Sequence, residues 1–443
     1  MKKLILIVGV SLLCGCASYT SQTEQFRSQW VAGNTEVAAQ IATKEADERA
    51  DTRDAIVWRL EQGAALRADG QYDESNRAFE KAEDQIKYFR EDAARVRGGK
   101  EAVSAVTNLA AVPYEGYGYD RVMLHTYKAL NYLQIGDKQG AKVEFKRAEN
   151  AQENENERNI KRLEKAKVEV RKNKDVSLAK ANSEGKLDVI QPDIEMDYGD
   201  FGNPFKDYIH ALFLIAEMNN NARLVLRRVN STLGGVALIE EEYKFVDEVL
   251  LNGKDYAPRT YVIYESGLAP VREEVRIDIP LMIENVPYVA AAFPKLVNQG
   301  QSSSMTVSAG GKTYSSVRLC SMDAIVAREF KTELPGVIAR TLVSAAIKAA
   351  ATKVASDKGG DIGRLVGMLY QAGSTQADLR TWSALPKEFH VCRFDTPSDR
   401  AISISTSGGA TAGVTVDDAQ ISIVYVKDFG PNTLLKINQF LLK

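Results

Sequence analysis

The sequence predicts a multidomain chain: an N-terminal all-α region of stacked helix pairs, then an α+β domain built on a mixed or antiparallel sheet. Two observations carry this. Apolar and small residues recur at helical spacing, in a pattern that repeats, up to about Asn252. From about Pro258 the spacing turns strand-like and is punctuated by Gly and Pro. The divisions are therefore residues 1–15, 16–252 and 258–443.

The first sixteen residues form a separate unit. Lys2 and Lys3 give a positive start, Leu4 to Leu13 an apolar stretch too short to span a bilayer, and Leu13-Cys14-Gly15-Cys16 the end. The segment resembles a lipoprotein signal peptide with its lipobox. The resemblance implies cleavage before Cys16, a diacylglyceryl group on its thiol and an acylated amine, which together anchor the chain durably. Cys14 fits less well, because it would put Ser11 where the lipobox wants Leu. Ala17 replaces the Asp that usually retains such proteins in the inner membrane. The outer membrane, facing the periplasm, is the expected location.

In the helical region Gly63, Leu66, Gly70, Tyr72, Ser75, Phe79 and Ala82 share their offsets with Ala129, Tyr132, Gly136, Ala141, Phe145 and Ala148. These are the offsets of a tetratricopeptide repeat. Small residues let two antiparallel helices approach, the glycine closes the turn, and an aromatic ring fills the gap. A more degenerate third unit is expected from Asp207 to Val229, with a capping helix within residues 22–54. Tyr132, Lys142 and Arg147 of the second unit are expected on a partner-binding surface.

Residues 150–190 are dense in charge with sparse Ile160, Leu163, Val168 and Val170, and are read as a solvated helical insertion. Asp193 to Phe205 reads as an ordered turn. Beyond residue 258, strands are expected at Tyr261–Tyr264, Val271–Ile279 and Tyr288–Phe293, broken by Gly267, Pro270, Pro280 and Pro294. Met305–Ser308 and Ser315–Leu319 are expected to be hairpin arms around Gly310-Gly311. A helix from Met322 to about Ala355, interrupted at Pro335, and strands at Phe389–Phe394, Ile402–Thr406 and Ile421–Val426 complete the domain.

Chemistry-bearing motifs are scarce. Gly310-Gly311-Lys312-Thr313 lacks the first glycine and the following helix of a phosphate loop. Asp193, Glu195 and Asp197 alternate as in a calcium loop, but Tyr198 and Pro204 occupy its glycine and glutamate positions. His125, His210 and His390 are scattered singly. His390 and Cys392, two apart on a strand, share one face and leave open a thiol–base reading. Asp378, Arg380 and Trp382, before Pro386, suit either a structural clamp or an interface hot spot, so Arg380 and Trp382 join the partner-binding candidates. The 57 basic and 59 acidic residues give no field to attract nucleic acid. An oxidising periplasm permits a bridge between Cys320 and Cys392 without requiring it.

The lipobox, the paired units, the Asn203-Pro204-Phe205 turn, and the segments Met322–Pro335 and Asp378–Pro386 together resemble a family of Gram-negative outer-membrane lipoproteins with an N-terminal tetratricopeptide-like helical region. Its members are often encoded beside lipoproteins similar to activators of penicillin-binding proteins. The resemblance implies envelope work, linked to peptidoglycan synthesis, and carries over no catalytic residue. The expectation is a lipid-anchored adaptor for periplasmic or outer-membrane proteins, without cofactor or metal and not an enzyme. The alternative is a hydrolase or small-ligand-binding lipoprotein with a pocket in the C-terminal domain.

Overall fold

The computed structural model describes residues 19–89, 113–172, 185–194, 202–283, 286–300, 302–342, 344–345, 354 and 376–443. Cys16 and the lipobox lie outside them, as do most of the stretch from 173 to 201 and most of the expected helix beyond 345. Among the described residues, no helix is long and apolar enough to cross a membrane.

The N-terminal half is helical: α1 (Tyr19–Val31), α2 (Thr35–Glu48), α3 (Ala55–Ala68), α4 (Tyr72–Lys87), α5 (Gly118–Gln134), α6 (Lys138–Lys172), α7 (Pro204–Ala216), α8 (Ala222–Leu233) and α9 (Ala237–Val246), with a π turn to Leu251. Neighbours pack as hairpins, α3 on α4, α5 on α6 and α7 on α8. In the turns within the first two pairs, Gly70 and Gly136 adopt φ of +82° and +79°, where a side chain would be strained. Gly63 serves closeness instead, since a Cβ there would meet the Phe79 ring at 2.4 Å. The charged stretch expected as an insertion is, to Lys172, the continuation of α6. Asn203 caps α7, its Oδ1 accepting from the Lys206 backbone N–H at 3.0 Å, and Pro204 opens the helix where its missing N–H costs nothing.

The C-terminal half holds β1 (Arg259–Ser266), β2 (Leu268–Ile283), β3 (Val286–Gln299), β4 (Met305–Ala309), β5 (Lys312–Ser315), β6 (Val317–Ser321), β7 (Glu388–Asp395), β8 (Ala401–Thr406), β9 (Thr411–Thr415), β10 (Ile421–Asp428) and β11 (Lys436–Leu441). A five-stranded mixed sheet runs β11-β10-β1-β7-β6, parallel only between β1 and β10. An antiparallel sheet runs β5-β4-β8-β9, and β2 and β3 form a separate long hairpin. A helix over residues 322–342, α10, lies between β6 and β7 in the chain.

Three expectations change here. The second arm of the Gly310-Gly311 hairpin is β5, whereas Val317–Ser321 crosses to the five-stranded sheet as β6. The strands expected to break at Pro280 and Pro294 run through both, because each strand of a two-stranded hairpin has an open edge that needs no proline N–H. α10 is likewise continuous through Pro335, with Phe330, Leu334, Ile338 and Leu342 anchoring it in the core on both sides of that residue.

Strand parity organises the packing. Tyr261 and Ile263 of β1, Phe389 and Val391 of β7, and Ile423 and Tyr425 of β10 face the helices. Val262 and Tyr264, Cys392 and Phe394, and Val424 and Val426 face the four-stranded sheet. The layers are thus helices, central sheet and outer sheet. Both faces of the central sheet are covered, and β10 is buried at every position. The helix-facing core is continuous across both halves, joining Trp30, Phe79 and Tyr127 to Trp382, Tyr425 and Phe429.

Candidate functional site

The seam between helices and central sheet is closed by buried polar clamps. Trp382 is 1% exposed and meets the rings of Phe79 and Tyr127 edge-on at 5.7 and 5.8 Å. Arg380 grips Asp378 with two bonds of 2.8 Å and donates across the seam to the Arg53 carbonyl at 3.1 Å and Asp54 at 3.3 Å. Glu61, from α3, accepts from Ser383 N–H at 2.6 Å, Ser383 Oγ at 2.7 Å and Ala384 N–H at 3.0 Å. Arg380 and Trp382 therefore belong to the interior and present nothing to a partner. The indole gains most by burial, and the segment's backbone donors need acceptors once it is inside. Burial pushes the carboxyl of Glu61 up to about 7, against the bonds it accepts. It does the same to Asp120, held by the Tyr114 hydroxyl and the Tyr117 N–H.

A charged cluster joins α4 of the first helix hairpin to α5 and α6 of the second. Glu83, His125 and Glu144 bring one ligand atom each within 4.8 Å of one another. The Lys128 ammonium lies 3.1 Å from both Glu83 and Glu144, and Arg147 adds bonds of 3.4 and 3.0 Å to the same carboxylates. A divalent cation would have to displace a buried ammonium, so the cluster reads as an ion-pair network. Arg147 and Lys142 are exposed, and Tyr132 is half-buried over Gly140. His210 stacks on Phe145 at 5.0 Å, and burial brings it down to about 4, a neutral packing residue.

His390 and Cys392 do share one face of β7, yet no hydrogen bond joins them. Burial pushes the Cys392 thiol up to about 12, far from a thiolate. His390 Nε2 contacts Glu388 at 3.1 Å, and Ser302 also bonds Glu388. Burial would raise Glu388, but the bonds to His390 and Ser302 and the Arg318 charge hold it near 2. With the carboxylate as hub, the serine proton has no route to the imidazole, unlike a nucleophile–base–acid relay. Cys320 pairs in register with Phe389 and faces the helices, whereas Cys392 faces the outer sheet. A sheet therefore separates the thiols, and both are free. Mass spectrometry of unreduced, denatured protein is expected to find both alkylated, and a Cys320–Cys392 peptide would contradict this packing.

Where the seam does not close it leaves a narrow, half-open cleft of about 20 Å³, room for little more than one water molecule. Trp30, Tyr72, Tyr127 and Tyr425 form aromatic walls, with Arg67, Glu265, Lys427, Lys436 and Asn438 among them. Glu265 accepts from Lys427 Nζ at 2.6 Å, Tyr425 OH at 2.8 Å and Tyr127 OH at 2.9 Å. Burial would raise Glu265, but the Lys427 and Arg67 charges and these bonds bring it below the usual carboxylate range. Arg67 donates to Asn131 at 2.7 Å and lies over the rings of Tyr127 and Tyr425, at 5.3 and 4.9 Å. None of these cleft residues except Tyr72, seen as a packing residue, was singled out by sequence reasoning. One signal was available: Glu265 and Lys427 are charges inside strands otherwise buried on both faces, and parallel pairing of β1 with β10 sets them in register.

No family model, no curated protein and no solved structure matches the chain.

Proposed function

We propose that the protein is a lipid-anchored periplasmic adaptor that captures envelope proteins and catalyses nothing by itself. The observation that carries this reading is the row of helix hairpins, α3 on α4, α5 on α6 and α7 on α8, with a small, positively charged recess where the seam below them opens. The helix hairpins, read as repeats of the tetratricopeptide type, supply the extended surface beside it. Peptidoglycan synthesis is the envelope process to which the adaptor is assigned. Its test combines fractionation with capture. Cys16→Ala is expected to release the chain from the outer membrane, and crosslinked wild-type chain to bring down specific envelope proteins. A Cys16→Ala variant that still sediments with the membrane would refute the anchor. Hydrolysis of peptidoglycan or esters that is lost on His390→Ala would replace the adaptor with a hydrolase.

A further inference from the structure

We propose that the far end of the β2–β3 hairpin is a second membrane contact, a wedge that enters the lipid headgroup boundary beside the acylated N-terminus. It rests on the lipid anchor proposed above and specifies how the anchored body is held. Charge stops partway along the hairpin. Nearer its base β2 carries Arg272, Glu273, Glu274, Arg276 and Asp278, and β3 carries Lys295. Beyond them the strands end in Ile279–Ile283 (IPLMI) and Val286–Ala290 (VPYVA), with no charged residue in either. Two such runs side by side suit the acyl boundary, and tyrosine is favoured at that depth.

Contacts along the chain put that end on the lipid's side of the molecule. Leu268 pairs with Gln299 at the base of the hairpin, and Arg27 of α1 donates to Gln299 at 2.9 Å. Towards its N-terminus α1 meets a segment that lies further up the hairpin: the Tyr19 hydroxyl donates to the Thr381 carbonyl at 3.0 Å, and the Ala377 N–H donates to Glu274 at 2.9 Å. α1 therefore points its first residue towards the far end of the strands. Cys16 stands three residues before Tyr19, so its acyl chains enter the bilayer within about 11 Å of α1. Asp278, ten residues from Leu268, lies about 33 Å up the strand, past the roughly 12 Å that α1 covers from Arg27 to Tyr19. The uncharged ends are thus the part that reaches the membrane plane.

Backbone pairing selects lipid over a second copy. Pro280 stands opposite Tyr288 and Pro294 opposite Glu274, in the one ladder that these strands make among the described residues. A proline there turns its nitrogen to the open edge, so each edge lacks a donor where an added strand would need one. Each five-residue end spans about 16 Å, short of the roughly 30 Å hydrocarbon core, and its open edge needs water. The contact is therefore interfacial. Glu284, between the two ends in sequence, suits the ammonium of a phosphatidylethanolamine headgroup. Such a contact is weak alone, so Cys16→Ala is still expected to leave the membrane. On the anchored chain it fixes which side of the helix hairpins turns to the periplasm.

The native tryptophans make a direct test possible. Trp30, Trp58 and Trp382 are the chain's three and are at most 1% exposed, so lipid-borne bromine reads an added indole alone. Full acylated chain carrying Tyr288→Trp is reconstituted on phosphatidylethanolamine–phosphatidylglycerol vesicles with and without brominated acyl chains. Its added fluorescence is expected to shift to the blue and to be quenched by the brominated lipid, and Leu281→Trp on the facing strand to behave alike. Leu434→Trp, next to the Thr433 that lies by Gly33 beyond the other end of α1, is expected to keep its emission. Adding Leu281→Asp to Tyr288→Trp should abolish the quenching while the chain still floats with the vesicles. Floating chain with unquenched indoles at both 281 and 288 would overturn the wedge and leave the anchor standing, whether a second copy or the chain itself covers the ends. Equal quenching of Leu434→Trp, or quenching that survives Leu281→Asp, would overturn it as well. Chain that does not float would overturn the anchor, and the wedge with it.

Discussion

Trp382→Ala is expected to destabilise the protein by about 3–5 kcal/mol, the range for emptying a fully buried large aromatic site. The indole is 1% exposed, and Phe79 of α4 and Tyr127 of α5 lie edge-on to it. Those rings belong to different helix hairpins and the tryptophan to the segment leading into β7. The cavity would therefore open where the two halves meet, with three elements needed to collapse into it. Neither half buries this surface alone, since the helix-facing core is shared. Urea unfolding followed by circular dichroism measures the loss. A change below about 1 kcal/mol, the size of a surface substitution, would mean that the seam does not hold the halves together.

Glu61→Ala should cost a comparable amount, because it strands two backbone N–H groups and the Ser383 hydroxyl inside the seam, at about 1–3 kcal/mol for each unmet donor. The carboxyl also makes stability depend on pH. Burial raises Glu61 from 4.5 to about 7, Asp120 from 3.8 to about 7 and Asp323 from 3.8 to about 6. An acid raised in the fold holds its proton longer there than in the unfolded chain. Its contribution is complete below the unfolded value and is lost as pH rises through the folded one. His210, lowered from 6.5 to about 4 by burial, acts with the opposite sign between those values. The three carboxyls outnumber it, so stability should fall from about pH 5 to about pH 8, each group contributing at most about 1.4 kcal/mol per pH unit. Glu388, lowered from 4.5 to about 2, acts below this interval, its contribution being lost as pH falls from about 4.5 to about 2. Glu61→Gln, which keeps an acceptor without titrating, should flatten the decline. Wild-type stability that is level or rises over this interval would contradict the burial of these carboxyls.

The helices were legible wherever their signal was local. The offsets shared by residues 63–82 and 129–148 correspond to α3 with α4 and α5 with α6, because the Gly63–Phe79 contact and the turns at Gly70 and Gly136 involve near neighbours in the chain. The strands from β1 onward were legible from β-branched and aromatic runs, but their limits were not. Prolines read as breaks are tolerated in β2 and β3 only because that hairpin has open edges, a fact of sheet order. The Asp378–Pro386 segment was recognised as distinctive, and its two readings differed only in whether the trio meets the chain's own helices or another molecule.

What the sequence alone determined is the succession of helix and strand, the close helix pairs and the alternation that sorts each strand into two faces. All depend on residues within one element or one helix hairpin of each other, where spacing along the chain reports burial directly. The tertiary structure decided which layer each face meets. It put Arg380 and Trp382 inside, set Cys320 and Cys392 on opposite sides of one sheet, and brought Glu265 to Lys427 across 162 residues. Strand order and parallel pairing, which local periodicity does not encode, place those charges together and leave Lys436 facing the cleft without a counter-ion among the described residues.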